Sequence, residues 1–81
     1  MQASKLIKSL KFKKVVPEKF EDFSVSLLTQ DTREVITGSI FVAIKGAKVD
    51  GHELVQEAIK KGTAMIIAQE ELDEVSVPVV Y

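Results

Sequence analysis

The sequence predicts an α/β fold: a small sheet built around a parallel βαβ unit. Three observations carry this. Residues 40–44, Ile-Phe-Val-Ala-Ile, form a continuous apolar run bounded by turn residues, the pattern of a strand covered on both faces. Residues 50–62 follow with helix start and stop signals at both ends. Residues 64–68, Ala-Met-Ile-Ile-Ala, then supply a second apolar run. Strand, helix, strand in that order implies parallel strands joined by a right-handed crossover.

The remaining elements follow in chain order. Ser4 is placed to cap a short helix whose Leu6, Ile7 and Leu10 share one face. That helix fades into a lysine-rich stretch, and Pro17 punctuates the chain. Residues 24–28 are apolar and partly alternating, so a strand is expected there. Residues 29–33, Thr-Gln-Asp-Thr-Arg, break it. Val35 and Ile36 suggest a brief extended piece, and Thr37-Gly38-Ser39 a turn. In the second helix Asp50 is the expected N-cap, with Glu53 reaching back as in a capping box. Leu54, Val55, Ala58 and Ile59 face the core, Lys60 and Lys61 suit the helix C-terminus, and Gly62 ends it. A fourth strand is expected over residues 77–81. Those residues still read as strand where the sequence ends, which suggests a domain edge with more chain beyond.

Composition sets limits. The chain has 81 residues, 46% apolar and 28% charged, which suits one small soluble domain. A domain of this size buries only about 60% of the surface its unfolded chain exposes. Net charge is −1, so no global field steers the chain to nucleic acid or to an acidic membrane. Lys5, Lys8, Lys11, Lys13 and Lys14 crowd one end, and Glu70, Glu71, Asp73 and Glu74 the other; both read as solvated surface. There is no cysteine, which excludes disulfides, thiol nucleophiles and thiolate metal sites. No apolar run approaches the length of a membrane span, and no secretory leader is visible. A cytoplasmic protein is expected.

Catalytic equipment is sparse. His52 is the single histidine, with no serine or cysteine paired to it, and it reads as an ordinary first-turn helix residue. The acidic residues near the end show no ligand spacing, so no metal site is expected. Gly46 and Gly51 form neither a dinucleotide fingerprint nor a triphosphate loop. Two connectors remain. Gln30-Asp31-Thr32-Arg33 brings a hydroxyl, a guanidinium and backbone N–H groups to a strand end, equipment that suits a phosphate or diphosphate. Gly46-Ala47-Lys48-Val49 follows the central strand. Open α/β sheets hold ligands beyond the carboxyl ends of their parallel strands. The competing reading is two ordinary turns, with Asp31 and Arg33 paired locally.

These connectors lie within a longer pattern. Asp31-Thr32-Arg33-Glu34-Val35, then Thr37 to Gly46, then Val49-Asp50-Gly51-His52, then Ala58 to Gly62, resemble the N-terminal domain of Mur ligases in order and without gaps. The Lys-Gly-x-x-Val-Asp-Gly-His run and the short leading helix look more like the MurE type, which adds the third amino acid of the peptidoglycan stem peptide. A MurF-type ligase, adding D-alanyl-D-alanine, is the alternative, and a non-catalytic interaction module of the same fold is a third reading. The resemblance implies that residues 1–81 are one substrate-binding domain of a three-domain ligase. It would hold the uridine diphosphate end of UDP-N-acetylmuramoyl-L-alanyl-D-glutamate. A central domain of the same chain would use ATP and Mg2+, with no cofactor and no catalytic residue in this segment. Whether lysine or diaminopimelate is added stays open. Carried over, Thr32 meets the diphosphate through its hydroxyl, Gln30 lines the uridine pocket, and Ala47, Lys48 and Val49 wrap the uracil. Asp31 and Arg33 brace the turn. Nucleic acid and membrane are not expected partners.

Overall fold

Along the chain come α1 (Ala3–Lys8), β1 (Val15–Val16), β2 (Leu27–Thr29), a first 3-10 turn (Thr32–Glu34) and β3 (Ser39–Ala43). A second 3-10 turn (Gly51–Leu54) runs into α2 (Val55–Lys60), and β4 (Met65–Ala68) and β5 (Val79–Val80) follow. This computed structural model describes residues 1–46 and 49–81. The strands form one sheet in the order β1-β5-β4-β3-β2, parallel except for β1, which is antiparallel at the edge.

Both faces of the sheet are covered, which explains the unbroken apolar run of β3. Phe41 and Ala43 point into a core with Ile66, Ala68 and Val79, closed by Val55 and Ala58 of α2. Ile40 points the other way, into a second core with Met65 and Val80, closed by Ala3 and Ile7 of α1. Alternation within an apolar strand thus serves two helices at once. The expected βαβ unit is present as β3, α2 and the adjacent parallel β4.

Several local expectations need correction. Ser4 does not cap α1: the N-cap is Gln2, without a side-chain bond. Ser4 instead donates from its amide and its hydroxyl to Asp22, at 2.9 and 2.6 Å. Leu10 lies beyond the helix and is exposed. Val35 and Ile36 join no strand, although Val35 is buried as a loop residue of the first core. Asp50 does stand at a helix start, but its carboxylate accepts from His52 N–H rather than from Glu53, whose amide bonds to the Asp50 carbonyl. A tight 3-10 turn therefore replaces the capping box. Gly62, at φ +104°, ends α2 in the left-handed region, where glycine carries no Cβ penalty.

β1 was not foreseen. Its two valines pair with Val79 and Val80, and Lys13 and Lys14 extend the ladder to Tyr81 at 2.6 and 2.9 Å. Lysines flanking an edge strand discourage pairing with a second chain, so this charge belongs to the edge of the sheet.

Candidate functional site at the carboxyl rim of the parallel strands

The two connectors leave neighbouring parallel strands at the same end. β2 and β3 are in register with Thr29 opposite Phe41, so Gln30 emerges beside Val42. Beyond Thr29 the chain is locked locally. The Thr29 hydroxyl accepts from Asp31 N–H at 3.0 Å and donates to Glu34 at 2.6 Å. Asp31 accepts from the Arg33 amide at 2.9 Å and from its guanidinium at 2.8 to 3.2 Å. The Arg33 guanidinium beside it, helped by that amide bond, holds the Asp31 carboxyl below the usual carboxylate range. Asp31 and Arg33 brace the turn, as expected, and the guanidinium is occupied.

The second connector is stapled at its base. Gly51 N–H donates to the Ile44 carbonyl at 2.8 Å, and Gly46 N–H to the Val49 carbonyl at 3.0 Å. Lys45 and Asp50 face each other as an antiparallel bridge. Lys45 N–H also donates to the side chain of Gln69, just beyond β4, at 2.9 Å. Gly51 is obligatory here: a Cβ would fall 2.7 Å from Ile44 N and 2.9 Å from Ile44 O, both backbone atoms.

Between the connectors lies a cavity of about 170 Å³ lined by Gln30, Val42, Ile44, Gly46, Val49, Gly51 and Leu54. A shallower hollow of about 280 Å³ adjoins it and shares Gln30, Val42 and Ile44. Apolar walls of both are bare: Leu28 of the hollow is 51% exposed and Val49 of the slot 56%. An apolar slot with an amide at its edge suits a flat, polar-rimmed ring. A larger groove of about 850 Å³ lies elsewhere, lined by Phe20, Phe23, Leu72, Val75 and Pro78 among others, with no residue of either connector. Volume alone favours that groove, but it collects no convergent polar groups from the strand ends.

Of the five expected site residues, the structure brings Gln30 and Val49 together in the slot. Ala47 and Lys48 lie outside the described residues. Thr32 departs from expectation. It does not line the slot, and it is buried, at 8% exposure, rather than exposed. Its carbonyl accepts from Lys61 Nζ at 3.1 Å. Lys61 thus contributes a cation beside this turn as well as at its helix end. Sequence reasoning missed Val42 and Ile44, whose apolar character was assigned wholly to the core.

Asp50, His52 and Glu70 form the one group of potential metal ligands among the described residues, with ligand atoms within 4.8 Å of one another. His52 Nδ1 lies 2.6 Å from Asp50 Oδ1, and its Nε2 accepts from Glu70 N–H at 3.1 Å. Both ring nitrogens are engaged, so the cluster is closed by its own hydrogen bonds. The bond from His52 N–H, then the ring, lowers the Asp50 pKa. Among the described residues no helix is long and apolar enough to cross a membrane.

Comparison with known proteins agrees with this architecture. Residues 24–80 match the family described as Mur ligase family, catalytic domain. A UDP-N-acetylmuramoyl-L-alanyl-D-glutamate--2,6-diaminopimelate ligase of Lactiplantibacillus plantarum is 58% identical over 81 residues, covering 100% of this chain and 16% of that protein. The ligase of the same name from Bacillus licheniformis is 46% identical over 78 residues, covering 94% of this chain and 16% of its own length. The chain therefore spans about one sixth of these relatives. Among solved structures, MurF from Acinetobacter baumannii superimposes with a TM-score of 0.84 at 19% identity, over 96% of this chain and 17% of that one, a likeness of fold. MurF from Thermotoga maritima, in complex with ADP, gives 0.58 at 33% identity over 64% of this chain and 12% of that one. With the turn, the central strand and the Asp-Gly-His start all in their expected places, this chain belongs to the Mur ligase family.

Proposed function

We propose that this chain is the substrate-docking domain of a MurE-type ligase, holding the uridine diphosphate end of UDP-N-acetylmuramoyl-L-alanyl-D-glutamate. The whole enzyme would join 2,6-diaminopimelate to that substrate. The observation that carries the reading is the 58% identity, without loss of coverage, to a ligase of that name. That relative also favours diaminopimelate over lysine. The structure adds support in the slot between Gln30 and Val49, which suits a uracil ring, with the Thr32 turn following Gln30 in the chain. By the family pattern, Ala47 and Lys48 would also contact the uracil.

The chain's own part is binding. A rigid domain gripping a remote nucleotide supplies binding energy that orients the reacting end elsewhere. ATP and Mg2+ would belong to a central domain of the same chain. The sequence contains no glycine-rich triphosphate loop, and the Asp50–His52–Glu70 group is closed by its own bonds, so neither fits this segment. The MurF reading rests on neighbours in fold and is the weaker of the two.

Titrating the chain with UDP and with the UDP-N-acetylmuramoyl dipeptide tests this by amide chemical shifts. Signals of Gln30 to Arg33 and of Gly46 and Val49 should move. Because Thr32 is buried, Thr32→Val is the informative variant: it keeps shape and removes only the hydroxyl. It should weaken binding by about 1.5–3 kcal/mol, the worth of a hydrogen bond to a charged group. Unmoved signals at millimolar ligand in a folded chain would overturn the assignment.

A further inference from the structure

His52 is part of neither the slot nor a core cluster, yet its ring is enclosed, with 8% of the side chain exposed. Both nitrogens are used. Glu70 N–H can only donate, so Nε2 must accept, and the ring proton must sit on Nδ1, donating to Asp50 at 2.6 Å. The ring therefore joins two segments that the chain separates by 18 residues. One is the exit of the 45–50 loop at Asp50. The other is the segment leaving β4. Gln69 ties the entrance of the same loop, through Lys45 N–H, to that segment. Both ends of the loop are thus anchored to residues 69 and 70, and Gly46 and Val49 of the slot lie between the anchors.

We infer that His52 is a positioning residue for the nucleotide site, holding the base of the 45–50 loop in its binding geometry through Asp50 and Glu70. This rests on the reading given above. A neutral imidazole in one tautomer suits the task because it is a rigid spacer with a donor at one end and an acceptor at the other. No single amide side chain reproduces both ends. Asparagine can place an amide nitrogen near Nδ1, and glutamine can place a carbonyl oxygen near Nε2, so each restores one anchor.

The test is amide hydrogen exchange combined with UDP titration on the chain and on His52→Ala, His52→Asn and His52→Gln. In His52→Ala, exchange at Lys45, Gly46 and Gly51 should rise about tenfold, the fold-change that loss of one or two net hydrogen bonds produces. Amides of Phe41 and Ile66 in the sheet should stay near their original rates. UDP affinity should fall about tenfold with the loop. His52→Gln should retain protection at Glu70 and His52→Asn should not, while both bind UDP more weakly than the parent chain. If His52→Ala does not fold, these two variants carry the test. Unchanged exchange at Gly46 and Gly51 in every variant would overturn the inference. So would an equal rise across the sheet, which marks a purely structural residue, or full UDP affinity with a loosened loop. A parent chain that fails to bind UDP overturns the site reading instead, and the exchange pattern still decides whether His52 holds the loop.

Discussion

Gly51→Ala would place a methyl group 2.7 Å from Ile44 N, 2.9 Å from Ile44 O and 3.1 Å from Ala43 Cα. None of these is the flexible end of a side chain; all three belong to the backbone leaving β3. The loop exit and the strand end must therefore separate by about half an ångström or more to reach ordinary contact. That movement stretches the 2.8 Å bond from Gly51 N–H to the Ile44 carbonyl. Overpacking of this kind costs about 1–3 kcal/mol, and a weakened hydrogen bond adds about 1 kcal/mol. Against the roughly 4–12 kcal/mol expected for a domain of this length, a loss of about 2–4 kcal/mol is large. Urea unfolding followed by circular dichroism measures it. With a slope near 1 kcal/mol per M, the midpoint should fall by about 2 M or more. Gly46→Ala is the internal comparison, because its Cβ would meet a single atom, the Val49 carbonyl oxygen, at 3.0 Å. That variant should lose about 1 kcal/mol or less. A Gly51→Ala chain within about 0.5 kcal/mol of the parent would refute the claim that the loop base is packed against the strand end.

Three further outcomes are expected. Phe41→Ala empties the largest fully buried side chain from the core beneath α2 and should cost about 3–5 kcal/mol, read as a sharply lowered calorimetric midpoint. Thr29→Val keeps the shape but removes both bonds of a hydroxyl that links Asp31 N–H to Glu34; a loss of about 1–3 kcal/mol in chemical unfolding is expected. Acid should weaken the fold through Asp22, Asp31 and Asp50, whose carboxyls are held below their ordinary values by Ser4, Arg33 and His52 respectively. A depressed folded pKa contributes stability that is full above the unfolded value, about 3.9, and is lost as pH falls through the lower folded value. The contribution of these three carboxyls should thus be complete above about pH 5 and decline below about pH 4, with a shallower acid limb in Asp31→Asn. An identical limb in that variant would count against the Arg33 pairing.

The central strand and the second helix were legible because their signals are local: an apolar run, a cap, a terminating glycine. What the run could not say is which residue serves which core. Ile40 and Phe41 are equally apolar, and only the sheet assigns one to α1 and the other to α2. β1 was illegible because its two valines sit between a lysine run and a proline, and their partners lie at the other end of the chain. At the site, the connectors holding Gln30 and Val49 were readable from their place after strands, while the individual roles of the two residues came only from the family pattern. Val42 and Ile44 were not readable, since their exposure depends on how much sheet α1 covers, and α1 stops at Lys8. Thr32 is buried and its carbonyl is bonded by Lys61, 29 residues away, and no property of a short polar stretch announces either.

The slot owes its shape to the register of two strands rather than to its own residues. Gln30 stands beside Val42 because Leu27, Leu28 and Thr29 pair with Ser39, Ile40 and Phe41. A slip of one residue would turn Phe41 out of the α2 core and Ile40 out of the α1 core, so both cores oppose it. Strand spacing of about 4.8 Å then fixes how far apart the two connectors begin. On the function proposed above, affinity for the nucleotide would consequently be coupled to packing on both faces of the sheet. Variants of Ile40 or Phe41 should lose binding and stability together, whereas Gln30→Ala, at an exposed position beyond the strand, should lose binding alone. Parallel losses in Gln30→Ala would mean that the slot helps to hold the sheet, reversing the direction of dependence argued here.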